Sequence, residues 1–405
     1  MRRILIVGAG QSGLLLAHGL LQRGYDVTLL TGRTSDEIRY GPISTGQLTF
    51  PSVLAYERGM DLDLWGDQAP RVESIALDLR TDSGEPMLDF TGHIPGGGVS
   101  MDQRVKMADW LEAFEDRGGK VTIHGATVTD LDYFTSMYDL IVVAVGGGEL
   151  GRLFAPDRSR SAGGRPKVAV DAYVHGAALN EHDRIQAVFM GDLGAMRLDP
   201  ALTPYGRAHR MALYAEPGGP LDLSGERRTP EQMFRRLLGV FAEHAPELHA
   251  QLSGARLVDE QSIHLETITP YVRQPVGELP SGGSVLGMAD VVLSSEPVMM
   301  QSWNNSTACA HVYLNRIAAH GDGSFDAGFM RDAFAEYWGY ARYTAWLANL
   351  LAGVEQEDIP QHAFELMRAG RTNPAVTDLV ISGLDNPMRF AEEISSPEKV
   401  AAYLE

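Results

Sequence analysis

Three glycines near the N-terminus carry the chemistry most directly. Gly8-Ala9-Gly10-Gln11-Ser12-Gly13 matches G-x-G-x-x-G immediately after the apolar run Ile4-Leu5-Ile6-Val7. In that context the first glycine permits a tight turn and the second lets backbone approach a pyrophosphate. The third lets a helix pack closely on a strand. The N–H groups opening the next helix, at its positive dipole end, then face the phosphates. The motif predicts a bound dinucleotide held by Gly8, Gly10, Gln11, Ser12 and Gly13. It does not choose which one. The second strand of such a unit normally ends near an acid for the ribose hydroxyls; here it ends Leu30-Thr31-Gly32-Arg33, and Arg33 also suits the 2′-phosphate of NADP.

A distant segment favours a flavin. Ser284-Val285-Leu286-Gly287-Met288-Ala289-Asp290 reads as a strand running into Gly-x-x-Asp, with Pro297, Gln301 and Asn304 beyond and a helix beginning near Trp303. A carboxylate placed there accepts hydrogen bonds from a ribityl chain. The helix N-terminus behind it stabilises negative charge on a reduced isoalloxazine ring. A plain strand–loop–helix connection with an N-cap acid is the competing reading.

The surrounding pattern supplies the elements. Residues 4–7, helix 14–23 closed by Gly24, and strand 26–30 make a βαβ unit. Residues 71–90 alternate as strands, with Gly96-Gly97-Gly98 closing the stretch; 102–117 reads as a helix, 120–124 as a strand, and 140–145 as a buried parallel strand. Strands follow from 166 to about 285 with a helix over 230–252, and the last third is helical. The aromatics crowded into 326–351 read as core packing rather than a cofactor box. The 405 residues carry a net charge of −19, which disfavours nucleic acid and anionic membrane as partners. The one cysteine, Cys309, excludes an internal disulfide and a cysteine-based metal cluster, and no metal site is expected. No apolar run suits a signal peptide or a membrane span, so a cytoplasmic location is expected.

Taken in order, these segments resemble the two-component flavoprotein monooxygenases, specifically the epoxidase component of styrene monooxygenase and the indole monooxygenases. The likeness runs from the glycine motif through Thr31–Glu37, Arg104, Ala113–Lys120 and Tyr138–Val143 to Pro270-Tyr271-Val272-Arg273, Gly287–Asp290 and Ser395-Ser396-Pro397-Glu398. It implies an α/β fold: a Rossmann-like FAD domain of the hydroxybenzoate-hydroxylase type (1–70, 100–165, 284–320). An inserted β-sheet substrate domain (71–99, 166–283) and C-terminal helices (321–405) complete it. It implies Arg104 at the FAD phosphates and Asp290 on the ribityl chain. It further implies reduced FAD from a separate NAD(P)H-dependent flavin reductase, oxygen, a small hydrophobic alkene or indole-like substrate, and a homodimer.

The sequence departs from the family pattern at the reactive end. The flavin loop, normally Pro-x-x-Gly-Gln-Gly-x-Asn, reads Pro297-Val298-Met299-Met300-Gln301-Ser302-Trp303-Asn304; a family asparagine falls on Thr45 and an arginine on Pro42, and the glycine before Asp290 is Ala289. Flavin-side candidates are Thr45, Gln301 and Asn304, with Pro297 and Ser302 at the cofactor. Ser44, Gln47, Met196, Tyr205, Met299, Met300 and Trp303 are the candidate substrate pocket. In this chemistry the flavin supplies the reactive atom, so His18, His175, His209 and His264 read as packing or surface residues. Another FAD or NADP oxidoreductase on the same fold, or a silent flavin-binding protein, are the alternatives.

Overall fold

The computed structural model describes the chain apart from residues 1, 46–47, 179–182, 226–227, 352–360 and 405, so Gln47 lies outside the described residues. Strand Arg3–Val7 feeds helix Gln11–Gln22, and strand Asp26–Thr31 returns parallel to the first, Ile4 opposite Val27 and Val7 opposite Leu30. Ile4 to Val7 are all buried, as a strand covered on both faces requires. The first sheet runs Val276–Glu278, Ser284–Gly287, Leu140–Val143, Arg3–Val7, Asp26–Thr31, Lys120–Ile123, antiparallel only at its first pair. Its connections diverge on either side of Arg3–Val7. There an open α/β sheet leaves a crevice beyond the carboxyl ends of its strands.

The second sheet runs Arg256–Leu257, Lys167–His175, Gly206–Ala215, Gly194–Thr203, Arg184–Met190, Arg71–Arg80, Pro86–Ser100, Leu48–Thr49, with Ile263–Ile268 also paired to Lys167–His175. Three details differ from the sequence reading. Strand Pro86–Ser100 continues through the glycine triplet, where Gly96 and Gly97 take φ of 88° and 68° and the ladder shifts register between Val72 and Ser74. Those glycines bend a strand rather than end one. Leu48–Thr49 joins this sheet and Val276–Glu278 joins the first, each across the boundary its sequence position suggests. The helix over 230–252 stops at His244, because Pro246 disfavours helical backbone at Ala245 and restarts only a short turn, Pro246–His249.

The second sheet has two unlike faces. On one, Val170, Met196, Leu198, Met211 and Leu213 pack against Phe234, Leu237 and Phe241 of helix Pro230–His244. Period-two alternation turns Asp171, Arg197, Asp199, Arg210 and Tyr214 to the other, and all five are buried. Helix Ala327–Leu351 covers this region: Phe329, Phe334 and Tyr337 enter the main core, while Leu347, Leu350 and Trp346 pack with Phe390 and helix Pro374–Asp385. Those aromatics are core. Among the described residues no helix is long and apolar enough to cross a membrane.

His18 ties the first helix to its neighbour. It is fully buried; its Nε2 lies 2.9 Å from the Trp110 carbonyl, which it meets as an N–H donor, and Arg117 faces Nδ1 at 3.3 Å. Desolvation lowers its pKa from 6.5 to about 4. A depressed folded-state pKa gives stability that is complete above the unfolded value and lost as pH falls through the folded one. The window is therefore pH 6.5 to 4, and the loss is about 3 kcal/mol. Denaturant melts of wild type and His18→Gln should show this segment of pH dependence in the first and not in the second; parallel profiles would sink the assignment.

Candidate functional site

A cleft of about 620 Å³ opens over the carboxyl ends of the first sheet, lined by Gly8, Gly10, Thr31, Arg33, Arg104, Gly147 and His264 among others. The motif glycines serve two different needs. A Cβ on Gly8, whose φ is 120°, would fall 2.8 Å from the Ala144 carbonyl oxygen, and one on Gly13 would fall 2.0 Å from the Gly8 carbonyl oxygen. Both are therefore glycine for packing. A Cβ on Gly10 would meet nothing within 4 Å, and no side chain caps the helix that Gly10 opens. Gly10 is small for whatever enters the cleft, and the uncapped N–H groups behind it fit a pyrophosphate.

The other phosphate-end candidates divide. Gln11 and Ser12 are buried, and Gln11 Nε2 donates to Glu57 (2.9 Å) and Thr307 (3.0 Å), away from the cleft. Arg33 is exposed at the rim. The nearby acid Glu37 is used in a capping box with Thr34. Arg104 lines the cleft, and its guanidinium is held by protein partners. Nε donates to Asp102 (2.8 Å), Nη1 to the Gly41 carbonyl (3.2 Å) and Asp259 (3.1 Å), and Nη2 to Ser262 (3.0 Å) with Asp102 at 2.7 Å. These contacts tie the Arg104 guanidinium into the cleft wall.

A second compartment of about 470 Å³ continues from Gly147 past Asp290 and is lined by Thr45, Glu266, Pro297, Met300, Ser302 and Trp303, with Arg197, Arg210 and Tyr214 on its far wall. Asp290 is open to this space but ringed by protein on its other sides; desolvation, then the Glu266 charge, pushes its carboxyl up to about 6. The Tyr271 hydroxyl donates to the Asp290 carbonyl (2.6 Å) and lies 3.3 Å from the Gly146 carbonyl, joining the two loops that flank the space. Helix Ser302–Ala319 begins here without a side-chain cap, its first residues in the wall. His264 and Glu266 face each other at 3.9 Å: Glu266 raises the pKa of His264, and His264 first, with Thr45 assisting, lowers that of Glu266.

The altered flavin loop has a measurable backbone signature. Met300, where the family pattern has glycine, lies at φ 58°, and Ala289, where it again has glycine, lies at φ 49°. Side chains are held in a left-handed conformation at about 1–2 kcal/mol each. Trp303 is fixed from behind by Lys106, whose Nζ lies 4.4 Å from the Trp303 ring centroid and 4.9 Å from that of Trp110. Lys106 is fully buried, bonded to Glu57 (2.5 Å) and Thr49 (2.8 Å); burial lowers its pKa and Glu57 opposes that shift. Glu296, under the loop, accepts from the Met299 N–H (3.2 Å), and desolvation pushes it up to about 7.

A third compartment, about 600 Å³ and mostly apolar, lies between the second sheet and the C-terminal helices, with Phe90, Phe189, Met299, Val376 and Ile381 in its walls. Arg197 and Met300 line both it and the second compartment, so the three spaces adjoin one after another.

Several candidates fall elsewhere. Met196 is in the core on the far side of its strand, one residue out of register with Arg197. Tyr205 is 49% exposed near a hairpin tip, 6.3 Å from Tyr40. Ser44 lines the first compartment and bonds Gln103. Gln301 Nε2 donates to the Met299 (3.0 Å) and Leu384 (2.9 Å) carbonyls, and Asn304 Nδ2 reaches Gln301 (3.4 Å); both tie the loop to the C-terminal helices rather than line the ring-sized space. Thr45 alone of the three flavin-side candidates lines it. Sequence reasoning missed Arg197, Arg210, Tyr214, His264 and Glu266. The available signal was Arg-x-Asp and Arg alternating with apolar residues on adjacent strands.

Residues 146–251 match the family model described as Styrene monooxygenase A putative substrate binding domain. The chain is 23% identical to styrene monooxygenase StyA of Pseudomonas fluorescens over 412 residues, 99% of this chain and 97% of that protein, and equally identical to StyA of a Pseudomonas sp over 413 residues. Solved structures of the same fold include the flavin-dependent brominase Bmp2 (TM-score 0.65, 12% identity, 97% and 98% of the two chains) and the flavin-dependent halogenase CmlS (0.68, 12%, 100% and 76%). p-Nitrophenol 4-monooxygenase PnpA from Pseudomonas putida DLL-E4 matches at 0.60 (13%, 99% of each chain). Fold, cleft and likenesses together place the chain in the class of FAD-dependent flavoprotein monooxygenases. Within that class it is a styrene monooxygenase-like flavoprotein.

Proposed function

We propose that the chain takes reduced FAD from a separate NAD(P)H-dependent reductase and uses oxygen to epoxidise or hydroxylate a hydrophobic, alkene- or indole-like substrate. The series of three compartments supports this most strongly. The first fits the dinucleotide phosphates, the second a ring system, and the third an apolar molecule, with Met300 and Arg197 at the last junction. Bound reduced flavin would supply the oxygen-activating chemistry. The protein's own residues bind and orient: Gly10 and the helix behind it receive the pyrophosphate, Asp290 accepts from the ribityl hydroxyls, and the N-terminus of helix Ser302–Ala319 offers N–H groups to negative charge on the ring. The apolar third compartment excludes water from the transfer.

The test is anaerobic titration with chemically reduced FAD, followed by oxygen in the presence of styrene or indole. Oxygenated product in the absence of any reductase is expected. No product with either substrate, together with NADPH oxidation by the chain alone, would replace this reading with that of a self-sufficient oxidoreductase.

A further inference from the structure

We infer that Arg197 selects the substrate, and that the molecule oxidised carries one neutral hydrogen-bond acceptor, of which a carbonyl oxygen is the simplest, on a hydrophobic body larger than a single ring. This deepens the monooxygenase reading above and rests on it. The third compartment, at about 600 Å³, is in the middle of the range of pockets that enclose drug-sized ligands, roughly 300–1,000 Å³. Its walls are side chains such as Phe90, Phe189, Val376 and Ile381, and among its described lining residues Arg197 is the only charged one. Thr377 and Gln361 also line it, but the Thr377 hydroxyl is turned to the Pro374 carbonyl and Gln361 Nε2 donates to Glu365 (3.0 Å). A substrate that fills this space is therefore apolar over most of its surface, and its polar recognition falls to Arg197.

Arg197 is 1% exposed and stands where this compartment meets the ring-sized one. Its Nε donates to Asp199 Oδ1 (3.2 Å) and its Nη2 to Asp199 Oδ2 (2.6 Å). Among the described residues no acceptor bonds Nη1, which carries two N–H donors. A buried donor of this kind gains about 1–3 kcal/mol when an acceptor meets it. The acceptor is neutral because no cation nearby is left to balance an anion: Arg210 is paired with Asp171 and, at 3.0 Å, with Asp199, and Glu266 lines the adjoining compartment as well, so two arginines face three carboxylates. A substrate carboxylate would add an unbalanced anion beside Asp199 in a site shielded from water.

Calorimetric titration of the FAD-loaded protein tests this without turnover. The probes are 4-phenyl-3-buten-2-one, its isostere with the carbonyl oxygen replaced by a methylene, and cinnamate. Wild type is expected to bind the ketone about tenfold more tightly than the hydrocarbon and no more weakly than cinnamate. Arg197→Met should bring ketone and hydrocarbon to within about twofold, with hydrocarbon affinity kept as evidence of an intact cavity. If that variant fails to fold because Asp199 loses one of its two arginines, Arg197→Met with Asp199→Asn replaces it. Equal wild-type affinity for ketone and hydrocarbon overturns the inference, as does tighter binding of cinnamate. Selective ketone binding without product from reduced FAD and oxygen would instead sink the monooxygenase reading and leave this one standing.

Discussion

Gly10→Ala is expected to leave the fold intact and weaken FAD binding at least about tenfold, whereas Gly13→Ala is expected to damage the fold itself. The difference follows from what each added methyl would meet. At Gly13 the Cβ falls 2.0 Å from the Gly8 carbonyl oxygen, a backbone atom in the turn that must itself hold φ 120°. Neither partner can yield without moving helix Gln11–Gln22 off the sheet, and overpacking of this kind destabilises by about 1–3 kcal/mol or more. At Gly10 the backbone is extended at φ −87°, which alanine adopts freely, and no atom lies within 4 Å. The apoprotein should therefore melt at the same temperature or slightly higher, since alanine narrows the unfolded ensemble by about 0.4–1 kcal/mol. Only a ligand that approaches the backbone there would feel the methyl. Thermal melting of the two apoproteins and fluorescence titration with FAD give both halves of the result. Unchanged FAD affinity in Gly10→Ala would mean that the pyrophosphate does not lie at this turn.

How much of this was legible in the sequence depends on how local the signal is. The βαβ unit was, because Ile4–Val7, the glycines and Asp26–Thr31 are contiguous and their pattern admits one arrangement. The place of Asp290 beside that unit was reachable as well, since strand and acid are adjacent in the chain. The apolar compartment was not. It is walled by strands near residues 77–90 and 187–197, the loop at 298–300 and a helix beyond 374, and no pattern within one segment says which faces meet. Met196 shows how narrow the margin is: chosen as an apolar residue on the right strand, it points away, and its charged neighbour Arg197 points in. Arg104 shows a different limit. Its position at the cleft follows from helix Gln103–Asp116, but Asp102, Asp259 and Ser262, which consume its donors, come from two separate stretches of chain. The lost loop glycines were visible as letters, and the backbone gives them meaning, for Met300 and Ala289 keep the left-handed conformation that glycine would take without cost.

Glu57→Ala is the substitution outside the glycine motif expected to cost most, about 3–5 kcal/mol of stability. It leaves the Lys106 ammonium buried against Trp110 and Trp303 with Thr49 as its remaining hydrogen-bond partner. It also removes one of the two acceptors of Gln11 Nε2 at the start of the glycine-motif helix. Lys106→Met should cost a similar amount, since the Glu57 carboxylate would then be buried without its cation. The double substitution Lys106→Met with Glu57→Gln should recover most of the loss, because it removes both charges while the new side-chain amide keeps an oxygen for Gln11. Replacement of a whole buried pair by residues of similar volume is often close to neutral. Denaturant melts of wild type, Glu57→Gln, Lys106→Met and the double substitution close the cycle, and losses that simply add would show that the two charges do not depend on each other. The same cycle reports on the site. Trp303 lines the ring-sized compartment, and Lys106 and its carboxylate hold that indole from behind. The single variants should therefore weaken FAD binding even where they remain folded, and the double variant should restore it in step with its stability.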